Sequence, residues 1–132
     1  MTDNYMENIR NETNGFIQHN GIRIISVDPE KSVLEAEVTD NSRNVWGNVH
    51  GGFLYTMADT AAGVLARISF DRRNVTLSGS INYLRSTQNS RRITAVCRAV
   101  KSGGHVGFFE VDITDDTGAL IARAQMNMYF LG

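Results

Sequence analysis

Asn44-Val45-Trp46-Gly47-Asn48-Val49-His50-Gly51-Gly52-Phe53-Leu54-Tyr55-Thr56-Met57-Ala58-Asp59 decides the fold, because a polar, Gly-containing loop gives way at Gly51 to helical periodicity. Phe53, Leu54, Met57, Ala58, Ala61, Val64, Leu65 and Ile68 recur at spacings of three and four and cover more than one face. That pattern predicts a largely buried helix over 50–69. Upstream, residues 1–20 read as a helical segment, with 3–19 turning Met6, Ile9 and Phe16 towards the body and closing at Asn20-Gly21. Ile22 to Ser26 and Val33 to Val38 read as strands joined across the turn-rich Asp28-Pro29-Glu30-Lys31. Downstream, Val75, Leu77, Ile81 and Tyr83 alternate with Thr76, Ser78, Ser80 and Asn82, and Ile93 to Val100 repeats the period. Val106 to Thr114 and Leu120 to Phe130 flank a hairpin turn at Asp115-Asp116-Thr117-Gly118. Hairpin-length links throughout favour antiparallel pairing, so the fold class is α+β: a curved antiparallel sheet of five to six strands wrapped around one long central helix.

The chain's 132 residues, 42% of them apolar, suit a single domain, 1–132. Thirteen basic against fourteen acidic residues leave a net charge of -1, which excludes a bulk field drawing in nucleic acid or an anionic membrane. The N-terminus has neither the basic start nor the apolar stretch of a signal peptide, and Ala58 to Ala66 is too short to span a bilayer, so a cytoplasmic protein is expected. The single Cys97 sits in a strand pattern and reads as a buried small side chain. His19, His50 and His105 lack ligand-like spacing and no metal is expected. The glycines fit neither a dinucleotide fingerprint nor a P-loop.

Asp59 is the one charged side chain between Gly51 and Ala66. A carboxylate inside an apolar helix is expensive unless paired or used. Gly52, Tyr55, Thr56, Ala62 and Gly63 share its side of the helix, and their small members leave room for a ligand. A simpler reading has Asp59 accept a hydrogen bond from a neighbouring Thr or backbone. At the helix start, His50-Gly51-Gly52 exposes unpaired N–H groups, and an N–H aimed at a carbonyl oxygen can stabilise the charge that develops in acyl transfer. The plainer alternative is a Gly-rich helix start. Gly51 and Asp59 lie eight residues apart, about 12 Å along one helix, too far to flank one carbonyl carbon. Acting together would require the helix to lie antiparallel to its copy in a second subunit, which a symmetric dimer supplies twice.

Asn44 to Gly52, followed by Met57-Ala58-Asp59-Thr60, resembles the signature of hotdog-fold thioesterases, and more narrowly the phenylacetyl-CoA thioesterase-like subfamily. Ser80-Ile81-Asn82-Tyr83-Leu84-Arg85, Val100-Lys101-Ser102-Gly103-Gly104 and a last strand follow in the family's order. The resemblance implies a single hotdog domain and a homodimer, commonly paired again into a homotetramer, that hydrolyses acyl-CoA at sites shared between subunits. It makes Asp59 the catalytic carboxylate, as general base or nucleophile, and Gly51 the N–H donor to the thioester oxygen. It also makes Asn44 the polar residue near the thioester and Thr76 a hydroxyl that holds the attacking water. His50 either orients the turn or bonds the acyl carbonyl.

No cofactor is expected, since CoA is part of the substrate. Gly52, Thr60, Arg85, Lys101, Gly103, Gly104 and His105 are the candidate substrate and CoA contacts, with Arg91 and Arg92 further candidates for its phosphates. Each basic side chain also fits a solvated strand end, and the glycines a hairpin. Phe53, Tyr55, Met57, Phe70 and Tyr83 are candidate walls for the acyl group. Two other functions fit the same fold: an acyl-CoA-binding sensor without turnover, and an acyl-thioester dehydratase.

Overall fold

The structure, a computed structural model, describes residues 15–132. A short helix α1 (Gly15–His19) leads into strands β1 (Ile22–Val27) and β2 (Lys31–Glu37), a 3-10 turn at Asp40–Ser42, helix α2 (Gly51–Ser69), and strands β3 (Arg73–Tyr83), β4 (Arg92–Ser102), β5 (Val106–Asp115) and β6 (Leu120–Leu131). The six strands form one sheet in the order β1-β2-β4-β5-β6-β3, with every pairing antiparallel.

Alternation buries one face of the four inner strands against α2. Leu34, Ile93, Cys97, Phe109, Ile113 and Met126 on the sheet meet Met57, Ala58, Ala61 and Leu65 of the helix with no exposed surface. The helix is not sheathed all round: Gly52 is exposed and Tyr55, Thr56, Asp59, Thr60 and Gly63 are partly exposed, so one stripe stays open. Ala62, expected beside Asp59, is turned into the core.

Met6 and Ile9 lie outside the described residues. Phe16, expected to face the body, is 62% exposed, and Ile17 takes the buried position in α1 instead. In a helix this short a shift of one residue changes which side chain is inward. The β1–β2 reversal forms at Asp28, whose Oδ1 accepts from the Glu30 and Lys31 amides.

β3 departs from the strict alternation read in its sequence. Its pairing with β6 shifts register between Thr76 and Ser78, leaving Leu77 as a bulge. Val75 therefore points away from the helix, level with Tyr129, whereas Thr76, Gly79, Ile81 and Tyr83 stand opposite Met128, Met126, Ala124 and Ala122 of the inner face. Without the extra residue, Thr76 and Ile81 would face opposite ways. Among the described residues no helix is long and apolar enough to cross a membrane.

Candidate active site

α2 and β3 run side by side in opposite directions, and the seam between them gathers the polar groups. At the far end Asn74 Nδ2 donates to the Gly63 carbonyl at 3.2 Å. One turn back, the Thr76 hydroxyl donates to Asp59 Oδ1 in a short hydrogen bond. A turn further, Tyr55 crosses β3 at Gly79, where its hydroxyl occupies the space a Cβ would take. At the helix start Tyr83 Oη donates to the Gly51 carbonyl at 2.8 Å. The spacing of Gly51, Tyr55, Asp59 and Gly63 is the i, i+4 repeat of one helix face. Asp59 is thus partly exposed on that open stripe and paired with a hydroxyl rather than sunk in the core.

The first turn of α2 accounts for its amides one by one. His50 is the N-cap: its Nδ1 accepts from Gly52 N–H at 2.9 Å, which places the proton of a neutral imidazole on Nε2. Its carbonyl accepts from Phe53 at 2.9 Å and Leu54 at 3.2 Å. Among the described residues Gly51 N–H has no partner, and it belongs to the same peptide group as that doubly bonded His50 carbonyl. Two donors on the carbonyl polarise the peptide and strengthen the remaining N–H as a donor.

Asn44 organises the loop before the helix. Its Oδ1 accepts from the Trp46 and Asn48 amides, both at 3.0 Å, so its NH2 group is the end left for a ligand. Groups that sequence reasoning passed over lock this loop. Asn48 Oδ1 accepts from Ser86 Oγ and Thr87 N–H, while Thr87 Oγ1 accepts from Val49 N–H at 2.8 Å. Arg43 donates to the carbonyls of Gly47, Gln88 and Ser90. Only the i to i+2 and i to i+4 bonds of Asn44 and the Arg43–Gly47 bond are local; the rest join segments about forty residues apart.

The expected CoA contacts fall into two groups. Gly52 and Thr60 lie on the open stripe of α2. Arg85 follows the end of β3, near the helix start, whereas Lys101, Gly103, Gly104 and His105 belong to the β4–β5 hairpin at the other end of β3, where Arg72 Nη1 donates to the Gly104 carbonyl at 2.7 Å. An eleven-residue strand spans roughly 33 Å, so within one chain Arg85 and the hairpin cannot grip the same phosphate. Arg91 and Arg92 are exposed, with their amides on Asp116 Oδ1. Among the expected acyl walls, Met57 is fully buried, and Phe70 packs on Phe109 and Phe130 with ring centroids 6.0 Å apart. Met57 belongs to the core and Phe70 packs against it. Phe53 instead lines a recess of about 300 Å³ beside the helix start, together with His50, Gly52, Thr56 and Phe16.

A six-stranded antiparallel sheet wrapped on one long helix, with a polar loop leading into a Gly-Gly helix start, defines the hotdog fold. Residues 47–122 match the family model of the Thioesterase superfamily. The chain is 33% identical to a 1,4-dihydroxy-2-naphthoyl-CoA hydrolase of Listeria monocytogenes, over 76% of this chain and 83% of the relative. It is 28% identical to the acyl-coenzyme A thioesterase PaaI of Escherichia coli, over 85% and 79%. A thioesterase protein of Streptococcus pneumoniae solved with coenzyme A superposes with a TM-score of 0.83 at 28% identity, covering 96% of this chain and 97% of that one. The chain belongs to the Thioesterase superfamily, and it is a thioesterase of the hotdog fold.

Proposed function

We propose that this thioesterase hydrolyses acyl-CoA to the free acid and CoA at sites shared across a homodimer. The observation that carries the reading is the helix α2 itself, with a Gly51 N–H at its start that has no partner among the described residues and Asp59, held by Thr76, two turns further on. The thioester carbonyl oxygen accepts from Gly51 N–H of one subunit, and the carbonyl carbon faces Asp59 of the other. Asp59 either takes a proton from a water that attacks the carbon, or attacks the carbon itself to give an anhydride that water then opens; in both routes the C–S bond breaks and CoA leaves as a thiolate that takes up a proton. The Asn44 NH2 group and His50 Nε2–H are the further donors at the thioester.

The open stripe of α2 and the free edge of β3 support the dimer. Among the described residues β3 pairs only with β6, so its other edge is open, with Val75 49% and Leu77 60% exposed, the kind of edge that pairs with a second chain. Two β3 edges meeting antiparallel set Arg85 of one chain beside the partner subunit's glycine hairpin, joining the two halves of the CoA contact set. The recess at Phe53 takes the acyl group, and a second pairing of dimers gives the tetramer.

The test is thiol release from a panel of aromatic, short, medium and long acyl-CoAs. Cys97 leaves the assay clean, since burial pushes its thiol up to about 12 and the side chain has no exposed surface. Asp59→Asn is expected to lower kcat by about 100-fold or more with the oligomer mass unchanged. Full activity in that variant removes Asp59 from the chemistry. Acyl-CoA binding without thiol release indicates a sensor, and a change in enoyl absorbance with CoA still attached a dehydratase.

A further inference from the structure

Tyr83 touches Gly51 from across the seam and has no place in the mechanism above. Its hydroxyl donates to the Gly51 carbonyl at 2.8 Å, and its ring tip stands where a side chain at residue 51 would begin, with an ideal Cβ 2.9 Å from the hydroxyl oxygen and 3.0 Å from Cζ. Glycine has more backbone freedom than any other residue, and an oxyanion donor is effective only when its N–H is already aimed. The space left by the missing side chain is thus filled from across the seam, and the same group tethers the carbonyl. On the other side His50 Nδ1 fixes the next amide, Gly52.

We infer that Tyr83 is a positioning residue, whose hydroxyl acts through the Gly51 carbonyl to hold the Gly51 N–H in the direction of the thioester oxygen. This rests on the proposed role of Gly51 as that donor. Burial first, and Tyr55 second, raise the Tyr83 hydroxyl above the ordinary phenol range, so it remains a donor throughout the neutral range. The edge strand then supports both halves of the chemistry: Thr76 bonds Asp59 and Tyr83 bonds Gly51. In the dimer each site receives Tyr83 from one subunit and Thr76 from the other.

Steady-state kinetics of Tyr83→Phe test this, because Phe keeps the ring against Gly51 and removes only the hydroxyl. The expected result is a fall in kcat of about tenfold with KM held to within about twofold and the oligomer mass unchanged. The Gly51 amide resonance of labelled protein, a readout independent of turnover, is expected to broaden or move. Wild-type turnover with an undiminished Tyr83→Phe kcat overturns the inference alone. Failure of the wild-type chain to release thiol from any acyl-CoA overturns the proposed function and this inference together.

Discussion

In the proposed hydrolysis Asp59 acts only if its carboxylate is held still, and the Thr76 hydroxyl supplies that hold. Thr76 is the donor, and hydrogen bonds to a charged group are worth about 1.5–3 kcal/mol, more than the neutral pairs elsewhere on the seam. Thr76→Val keeps the shape and deletes the donor, and is expected to lower kcat about tenfold, while Thr76→Ser retains most of the turnover; steady-state thiol release measures both. Equal turnover in the Val and Ser variants would separate the hydroxyl from catalysis. Sequence alone singled out Asp59 and Gly51 because each breaks a local pattern, a charge in an apolar helix and a Gly pair where helix begins. It named Tyr83 only as a candidate wall for the acyl group, because its bond to Gly51 joins residues thirty-two apart through the fold.

β3 shows where element-level reading succeeds and where it stops. The strand's existence and edges follow from its β-branched and aromatic residues, but the bulge at Leu77 is set by pairing with β6 and leaves no mark in the strand's own sequence. The bulge is what turns Thr76 inward. α2 was legible almost to the residue, since periodicity and the Gly pair mark its start, whereas the one-residue shift in α1 was beyond so short a pattern. The β5–β6 turn offers a pH test of element stability. The Thr117 hydroxyl, with help from the Ser90 hydroxyl and the Thr117 and Ala119 amides, holds the Asp115 carboxyl below its ordinary value of 3.8. A group depressed in the folded state contributes stability that is whole above that value and lost as pH falls through the folded one. Asp115→Asn is therefore expected to lower the thermal midpoint at pH 7 and to flatten the loss of stability below about pH 4, as followed by circular dichroism. Identical acid limbs in the two proteins would contradict the assignment.

In the proposed mechanism one subunit carries two half-sites that serve different substrates. Gly51 and Asp59 sit about 12 Å apart on α2, and Arg85 and the Gly103-Gly104 hairpin roughly 33 Å apart along β3, so both sets close only when a second copy lies antiparallel. The helix spacing was open to arithmetic from the sequence; the split of the CoA contacts was not, because it depends on which strand lies at the sheet's edge. Subunit mixing tests the shared site most directly. Asp59→Asn removes the carboxylate, and Gly51→Pro, made together with Tyr83→Ala to clear the space a Cβ at residue 51 would meet, removes the N–H at a first helical position whose preceding residue, His50, is already extended with a ψ of 133°. Each homodimer is expected to be nearly inactive. Unfolded, mixed and refolded in equal amounts, the two variants form mixed dimers in which one site of the two regains both groups, so turnover is expected to recover to about a quarter of wild type. Mixed dimers, verified by mass, that stay as inactive as their parents would contradict a site built from Gly51 of one subunit and Asp59 of the other.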